Sequence, residues 1–122
     1  MAPLARPDAA VRPVPAVWSP LEYACHVRDV HAVFAVRVRR MLSEDVPTFV
    51  NWDQDATAVE RRYAEQDPAV VDVELIDAAG TAAGLYATVT PATAGRRGVR
   101  QNGCAFTIET LGSHHLHDVG AG

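Results

Sequence analysis

Apolar residues recur every three or four positions along residues 18–42, and this period is that of an amphipathic helix. The recurring apolar positions are Tyr23, Val27, Val30, Phe34, Val38, Met41 and Leu42. Ser19 stands before Pro20 and three residues ahead of Glu22, so the stretch begins with a capping box and with proline at the first helical position. The pattern therefore predicts a long helix that ends one or two residues after the stretch.

A loop at residues 45–55 is expected to separate this helix from a second helical stretch that begins near Ala56. The Asp67-Pro68 dipeptide interrupts the second stretch and has the pattern of a new N-cap followed by proline at the first helical position. The next helix is apolar at most of its positions and should end before Pro91, because proline cannot continue a helix.

Residues 95–106 are predicted to form a small hairpin, since the Asn102-Gly103 pair suits a type I′ turn. Thr107 is placed to cap a last helix that covers about residues 108–119. The fold class predicted from these elements is all-α, a helical bundle of about three main helices with the hairpin before the last helix.

Prolines concentrate at the start of the chain, where residues 1–17 hold four of the eight, namely Pro3, Pro7, Pro13 and Pro15. Proline at this density disfavours both helix and sheet, so we expect a disordered, extended arm. A chain of 122 residues has the size of one domain, which we place at residues 18–119, with residues 120–122 as a tail.

Composition bears on the class of partner and on the compartment. The net charge of −4 gives no reason to expect nucleic acid or an anionic membrane as partner. No apolar run approaches the roughly 18 residues of a membrane span, and the first residues do not resemble a signal peptide. Cys25 and Cys104 show neither CxxC spacing nor a disulfide framework. We therefore expect a cytoplasmic protein in which both thiols are packed.

Histidines in two places carry the candidate chemistry. His26 lies beside the apolar stripe of the first helix, and the last helix holds His114, His115, His117 and the adjoining Asp118. On a helix, positions 114 and 117, or 114 and 118, share a face. With His26 from a facing helix, such a pair forms an open metal site, and imidazole ligands suit zinc or nickel. The alternatives are that His26 is a satisfied core histidine and that the later histidines are solvated surface groups.

Other polar residues have two interpretations each. Glu22 and Asp29 lie one turn to either side of His26, where a carboxylate can accept the imidazole N–H and orient it for a metal, or they are ordinary helix-surface carboxylates. A basic cluster consists of Arg96, Arg97 and Arg100. This cluster either receives the carboxylate of a thiol cofactor or an acidic substrate, or it is part of a solvated hairpin.

Five segments, taken in order, resemble the DinB-like superfamily, especially its actinobacterial members related to the N-terminal domain of mycothiol-dependent maleylpyruvate isomerase. The segments are 18–29, 52–56, 62–68, 103–107 and 114–119, and the resemblance covers residues 16–119. It implies an up-down four-helix bundle in which three histidines hold a divalent metal, one from the second helix and two from a His-x-x-x-His pair in the last. It also implies a metal-dependent enzyme that uses a low-molecular-weight thiol, or a metal-dependent hydrolase.

The histidine pair departs from that family pattern. His26 matches the first ligand, but the position four before His114 is Thr110, and the position four after His117 is Ala121. One histidine of the expected pair is therefore missing. The candidate metal ligands are His26, His114, His117 and Asp118, with Asp118 as a substitute ligand or as a group that orients one.

Members of the superfamily also carry a helix ahead of the tryptophan that corresponds to Trp18, where this chain has its proline-rich arm. A bundle without that helix leaves an apolar groove, which the arm, a second subunit or residues missing from the start of the sequence must fill. A homodimer is therefore expected.

Three functions remain open at this point. The first is a metal-dependent transferase, isomerase or hydrolase that acts on a small-molecule substrate, with a thiol as cosubstrate in the first two cases. The second is a non-catalytic, degenerate bundle that serves as an interaction module. The third is a truncated product that does not fold well by itself.

Overall fold

The computed structural model describes residue 4 and residues 6–111. The elements, in chain order, are α1 (Pro20–Ser43), β1 (Thr48–Phe49), α2 (Gln54–Glu60), α3 (Pro68–Tyr86), β2 (Arg97–Arg100) and β3 (Ala105–Thr107). A 3-10 turn, Tyr63–Glu65, lies between α2 and α3, and residues 108–111 are helical. Helices make up most of the fold, which confirms the predicted all-α bundle with a hairpin before the last helix.

The start of α1 is the predicted capping box. The Ser19 hydroxyl accepts a hydrogen bond from the Glu22 backbone N–H at 3.1 Å, and the Glu22 carboxylate accepts one from the Ser19 N–H at 3.1 Å. Pro20 occupies the first helical position, where its missing N–H costs nothing. The helix ends at Ser43, as its apolar period predicts.

The start of α3 also follows the local prediction. The Asp67 side chain accepts a hydrogen bond from the Ala69 N–H at 3.0 Å, and Pro68 is the first helical residue. The helix ends at Tyr86, before Pro91. None of the described helices is both long enough and apolar enough to cross a membrane.

Two apolar clusters hold α3 against α1. The first contains Leu21, Cys25 and Val71 and lies at the beginnings of both helices. The second contains Val38 and Met41 and is packed against by Leu85 and Val89, at the ends of both helices. The two long helices therefore lie side by side and run in the same direction. The intervening residues 44–67 return the chain to the starting end.

The described part of the proline-rich arm packs on the beginning of α1. Leu4 and Ala9 are 4% and 2% exposed and belong to the first cluster. The Leu21 N–H donates to the Ala9 carbonyl at 2.8 Å, and the Arg12 guanidinium binds the Glu22 carboxylate at 2.6 Å. In the described residues the arm therefore covers apolar surface of α1, whereas proline content alone suggested an extended and disordered segment. The domain boundaries at residues 17 and 119 stay predictions.

The hairpin is confirmed, but its turn is of another type than predicted. The Gly103 N–H donates to the Arg100 carbonyl at 2.8 Å, and the Arg100 N–H donates to the Cys104 carbonyl at 2.9 Å. Gly103 has φ of +88°, whereas Asn102 is not among the residues with positive φ. The connection is therefore a three-residue loop that closes on a left-handed glycine, rather than a two-residue type I′ turn, which needs positive φ at both central positions.

A third strand joins the hairpin, and nothing in the local sequence predicts it. β1 pairs in parallel with β2, with Thr48 opposite Val99. This pairing brings the Phe49 ring so close to Gly98 that a Cβ at this position would lie 2.6 Å from the Phe49 Cε2 atom. The sheet therefore needs glycine at position 98.

Candidate functional site

The imidazole of His26 lies between two indole rings near the beginning of α1. The Trp52 ring stacks on it with centroids 5.8 Å apart and an interplanar angle of 8°. The Trp18 ring lies on it at a tilt, with centroids 5.2 Å apart. Burial lowers the pKa of the His26 imidazole below its ordinary value, and the charges of Asp29 and Asp55 oppose this shift. Two aromatic rings hold the imidazole in one orientation, and its neutral form offers a nitrogen lone pair. The imidazole is therefore suited to bind a partner from one fixed direction.

The same imidazole borders a cavity of about 240 Å³ between α1 and α2. The lining residues are Ala16, Trp18, Tyr23, His26, Gln54 and Asp55. Two polar atoms of this lining, His26 Nδ1 and Gln54 Oε1, are buried without a hydrogen-bond partner. Because buried polar atoms are normally satisfied, two such atoms at one cavity mark a place where a bound group or a small rearrangement would supply partners.

The described residues contribute one of the four predicted metal ligands, His26. His114, His117 and Asp118 lie outside the described residues, and so does His115. Within residues 4–111, masked positions apart, no group of three or more His, Cys, Asp or Glu side chains is placed to hold a metal ion. The donor chemistry of the cavity thus fits a metal through one imidazole nitrogen, and the rest of the ligand set stays a prediction.

The structure supports neither of the two interpretations of Asp29 and Glu22, as carboxylates that orient His26 or as ordinary surface carboxylates. Both are buried, at 4% and 3% exposed, so they are not surface carboxylates. Glu22 is bound by Arg12 and by the Ser19 N–H. The Asp29 carboxylate accepts hydrogen bonds from Arg28, Arg61 and Tyr63. The carboxylates therefore tie the arm and the connection before α3 to α1, and neither accepts a hydrogen bond from His26.

The two cysteine thiols differ in their exposure to solvent. Cys25 is completely buried, with its Sγ atom 3.9 Å from the Tyr63 carbonyl, as expected for a packed thiol. Burial raises the pKa of the Cys25 thiol to about 11, so the thiolate needed for nucleophilic attack is scarce at neutral pH. Cys104 is exposed at the hairpin turn, so the expectation that it is packed is wrong. All four residues from 101 to 104 at this turn are exposed.

The basic cluster of the hairpin supports the solvated interpretation. Arg96 donates to the Leu42 carbonyl at 2.9 Å and so ties the hairpin to the end of α1. Arg96 and Arg97 line a cavity of about 490 Å³ together with Glu44 and Asp45. The lining of this cavity therefore carries both acidic and basic groups.

Four residues of the site are absent from the candidates taken from the sequence: Trp18, Trp52, Gln54 and Asp55. They belong to the segments 18–29 and 52–56, which carried part of the family resemblance. Asp53 caps α2 by accepting hydrogen bonds from the backbone N–H groups of Asp55 and Ala56. The cap turns the chain so that Trp52 and Gln54 face α1. The Asp53 cap motif, which lies between the aromatic Trp52 and the amide Gln54, was therefore the sequence signal that could have pointed to these residues.

Comparison with known proteins bears on the fold. No family model matches the chain, and no curated protein matches it. A solved structure, YfiT from Bacillus subtilis, superimposes with a TM-score of 0.75 at 18% identity, over 93% of this chain and 70% of that chain. YfiT is described as a probable metal-dependent hydrolase with an unusual four-helix bundle topology. At this identity the likeness concerns the fold alone. The chain therefore has the four-helix-bundle fold of YfiT, in agreement with the DinB-like fold that the sequence predicts.

Proposed function

We propose that this protein is a divalent-metal-dependent enzyme whose site is the cavity beside His26. The observation that carries the proposal is the His26 imidazole itself, which two indole rings hold in place and whose Nδ1 atom is buried without a partner. The description of YfiT as a metal-dependent hydrolase supports the same class of reaction for a chain of this fold. Hydrolysis is the simplest activity of this class, and transfer or isomerisation with a low-molecular-weight thiol is the finer alternative.

The proposed ligands are His26, His114 and His117, with Asp118 as a further oxygen donor. His26 is described by the structure, whereas the other three residues lie outside the described residues and enter the ligand set from the sequence.

Each residue of the cavity has a distinct part in the proposal. His26 is neutral at physiological pH because burial lowers its pKa, so one of its nitrogens has a free lone pair for a metal. A small rearrangement would let Gln54 Oε1 accept a hydrogen bond from His26 Nδ1–H; that bond would direct Nε2 to the metal and satisfy both atoms, which have no partner in the structure. Asp55 lines the cavity, where its carboxylate would lie beside a bound substrate. A bound zinc or nickel ion would supply Lewis acidity that lowers the pKa of a water or thiol at the site.

The test is the metal content of the purified protein, measured by mass spectrometry, together with thermal melts in the presence and absence of a chelator. About one metal ion per chain is expected, and His26→Ala should lose the ion and the response to chelator. His31→Ala is the matched control, since it removes an imidazole from the same helix outside the cavity. Retention of the metal in His26→Ala would contradict the proposed site.

A second function is favoured by the missing histidine of the family pair, which leaves the ligand set one imidazole short. In this alternative the protein is a non-catalytic bundle that acts as an interaction module. A cooperative melt with no bound metal and no effect of chelator would support the module. A broad melt without a cooperative transition would instead indicate a truncated product.

A small-molecule substrate and a cytoplasmic setting belong to the enzyme proposal. Cys25 and Cys104 are both free thiols, which agrees with a reducing compartment.

A further inference from the structure

Two cavities share part of their lining beside His26. The cavity of about 240 Å³ that borders His26 and a second cavity of about 640 Å³ are both lined by Trp18 and Asp55. The second cavity is lined further by Ala58 and Val59 of α2. Trp18 and Asp55 therefore lie at the common border of the two cavities, and a ligand bound between them has room on either side.

The carboxylate of Asp55 carries a charge that nothing in its surroundings balances. Asp55 is exposed, and among the described residues its carboxylate takes part in no hydrogen bond or ion pair. The other carboxylates of the larger cavity are paired, Glu22 with Arg12 at 2.6 Å and Glu65 with Arg62 at 3.8 Å. The lining therefore keeps one negative charge without a counter-charge, which favours a cationic ligand over an anionic one.

Aromatic rings line the same border. Trp18 and Tyr23 both line the smaller cavity, with ring centroids 5.4 Å apart and an interplanar angle of 71°. Trp18 is half-buried and Tyr23 is 51% exposed, so both rings have surface left for a ligand. Ring faces carry negative electrostatic potential, and proteins hold ammonium groups by combining such rings with a carboxylate. The lining of the smaller cavity has both components.

An unpaired acceptor in the smaller cavity favours a cation that donates hydrogen bonds. Gln54 Oε1 is buried without a partner. A carbonyl oxygen has two lone pairs, so after a small rotation of the amide it can accept from a ligand N–H as well as from the His26 imidazole. A protonated primary or secondary amine has such N–H groups, whereas a quaternary ammonium group has none. The polar lining therefore favours an amine that carries N–H groups.

We infer that the border of the two cavities binds the protonated amine of a small molecule, with Asp55 as the partner of the ammonium group. Trp18 and Tyr23 pack on the ammonium and on the carbon atoms next to it, and Gln54 accepts one of its hydrogen bonds. The site adjoins His26, so the statement that the substrate is an amine rests on the proposed function. Binding of the amine itself needs no metal ion.

Titration of the chelator-treated full chain with 2-phenylethylamine, 2-phenylethanol and phenylacetate tests the inference. The three probes share a phenyl group and differ in charge, since they are cationic, neutral and anionic near neutral pH. The chain contains two tryptophans, so the indole N–H resonances of Trp18 and Trp52 report binding beside His26. The amine should bind about tenfold more tightly than the alcohol, and phenylacetate should bind more weakly than either. Equal affinities for the amine and the alcohol would overturn the inference.

Two variants with matched controls assign the binding to the named side chains. Asp55→Asn should weaken binding of the amine about fivefold and leave binding of the alcohol unchanged. Asp77→Asn is its control, because Asp77 is an exposed carboxylate of α3 outside the lining of both cavities. Tyr23→Leu should weaken binding of the amine about threefold. Tyr86→Leu, which removes a ring that is 48% exposed at the end of α3, should not.

The alcohol also serves as a check on folding. Unchanged affinity for 2-phenylethanol in Asp55→Asn shows that the cavity is intact, and circular dichroism melts show that each variant stays folded. Wild-type affinity for the amine in Asp55→Asn would overturn the inference.

Measurements of metal content and of amine binding give separate answers. Amine binding that depends on Asp55, in a protein that never retains a metal, would support the amine site and contradict the proposed metal-dependent enzyme. About one metal ion per chain, together with equal affinities for the amine and the alcohol, would support the enzyme and overturn the amine site.

Discussion

The phenol of Tyr63 donates a hydrogen bond to the buried carboxylate of Asp29, thirty-four residues away in the sequence. Arg28 and Arg61 donate to the same carboxylate at 3.0 and 2.7 Å. The group fastens the 3-10 turn before α3 to the middle of α1, beside the cluster that contains Cys25. Burial raises the pKa of the Tyr63 phenol, which favours its protonated, hydrogen-bond-donating form.

Substitutions in this group should lower the stability of the protein, and Asp29→Ala should lower it more than Tyr63→Phe. Tyr63→Phe removes one donor and should lower the free energy of unfolding by about 1–2 kcal/mol. Asp29→Ala removes the acceptor that Arg28, Arg61 and Tyr63 share, although Arg28 keeps Gln66 and Glu74 as acceptors, and should cost more, about 3 kcal/mol. Denaturant melts followed by circular dichroism measure both. Equal costs for the two variants would show that the arginines find other partners without loss.

The Glu22 carboxylate should contribute to stability in a pH-dependent way. The hydrogen bond from Arg12 holds the pKa of this carboxyl below its usual range, with the Ser19 N–H as a further donor. Because the folded pKa is lower than the unfolded one, this contribution is present above the unfolded pKa and is lost as the pH falls through the folded pKa. Glu22→Gln should therefore destabilise the protein near neutral pH, and the difference from wild type should shrink under acid conditions.

Thermal melts of Glu22→Gln between neutral and acid pH measure this effect. Glu44→Gln is the control, since it removes an exposed carboxylate that pairs with Arg40 across one helical turn. A stability difference for Glu22→Gln that stays constant as the pH falls would contradict the pairing with Arg12.

Glycine at position 98 should be required, and glycine at position 95 should not. A Cβ on residue 98 would lie 2.6 Å from Phe49 Cε2 and 3.2 Å from Phe106 Cζ. Gly98→Ala should thus lower the free energy of unfolding by about 1–3 kcal/mol. Gly95 has no atom within 4 Å of the corresponding position and no positive φ, so Gly95→Ala should be neutral or slightly stabilising. A neutral Gly98→Ala in a chemical melt would contradict the parallel placement of β1 on β2.

The two cysteines should differ in reactivity toward an alkylating reagent. Cys104 is exposed, whereas Cys25 is buried with a thiol pKa raised to about 11. Iodoacetamide should modify one thiol in the native protein and both thiols in denaturant, as counted by intact-mass spectrometry. Cys104→Ser should leave no thiol that reacts in the native state. Rapid native modification of Cys25 would show that the first cluster opens readily.

Gln54 should act on the metal through His26. If Gln54 Oε1 accepts the imidazole N–H, Gln54→Leu should weaken zinc binding by about 10–100-fold. It should also change the tautomer of His26, which ¹⁵N chemical shifts of the metal-free protein report. Gln101→Leu at the exposed hairpin turn is the control and should change neither. A change in zinc affinity with an unchanged tautomer would assign Gln54 a different part in the site.

Elements that depend on residues within one helical turn could be predicted from the sequence. The capping box of Ser19 and Glu22 and the Asp67 cap each join atoms that are two or three residues apart. The same holds for Thr107, whose hydroxyl accepts from the Thr110 N–H at 3.2 Å at the start of the last helical turn. Their energies do not depend on the rest of the fold, so the pattern alone placed these helix starts. His26 was likewise chosen as a candidate ligand from its position beside the apolar stripe and from the family resemblance, and this role stays a prediction.

The tertiary structure alone decided the contacts between distant residues. The pairing of Thr48 with Val99, the stacking of Trp52 on His26 and the bond from Tyr63 to Asp29 each join residues at least 26 positions apart. No local pattern favours one such pairing over another. Which residues pair depends on which surfaces are still exposed after α1 and α3 have packed side by side. The sequence therefore determined where the helices begin, whereas their packing determined that Asp29 is structural and that Trp52 and Gln54 lie beside His26.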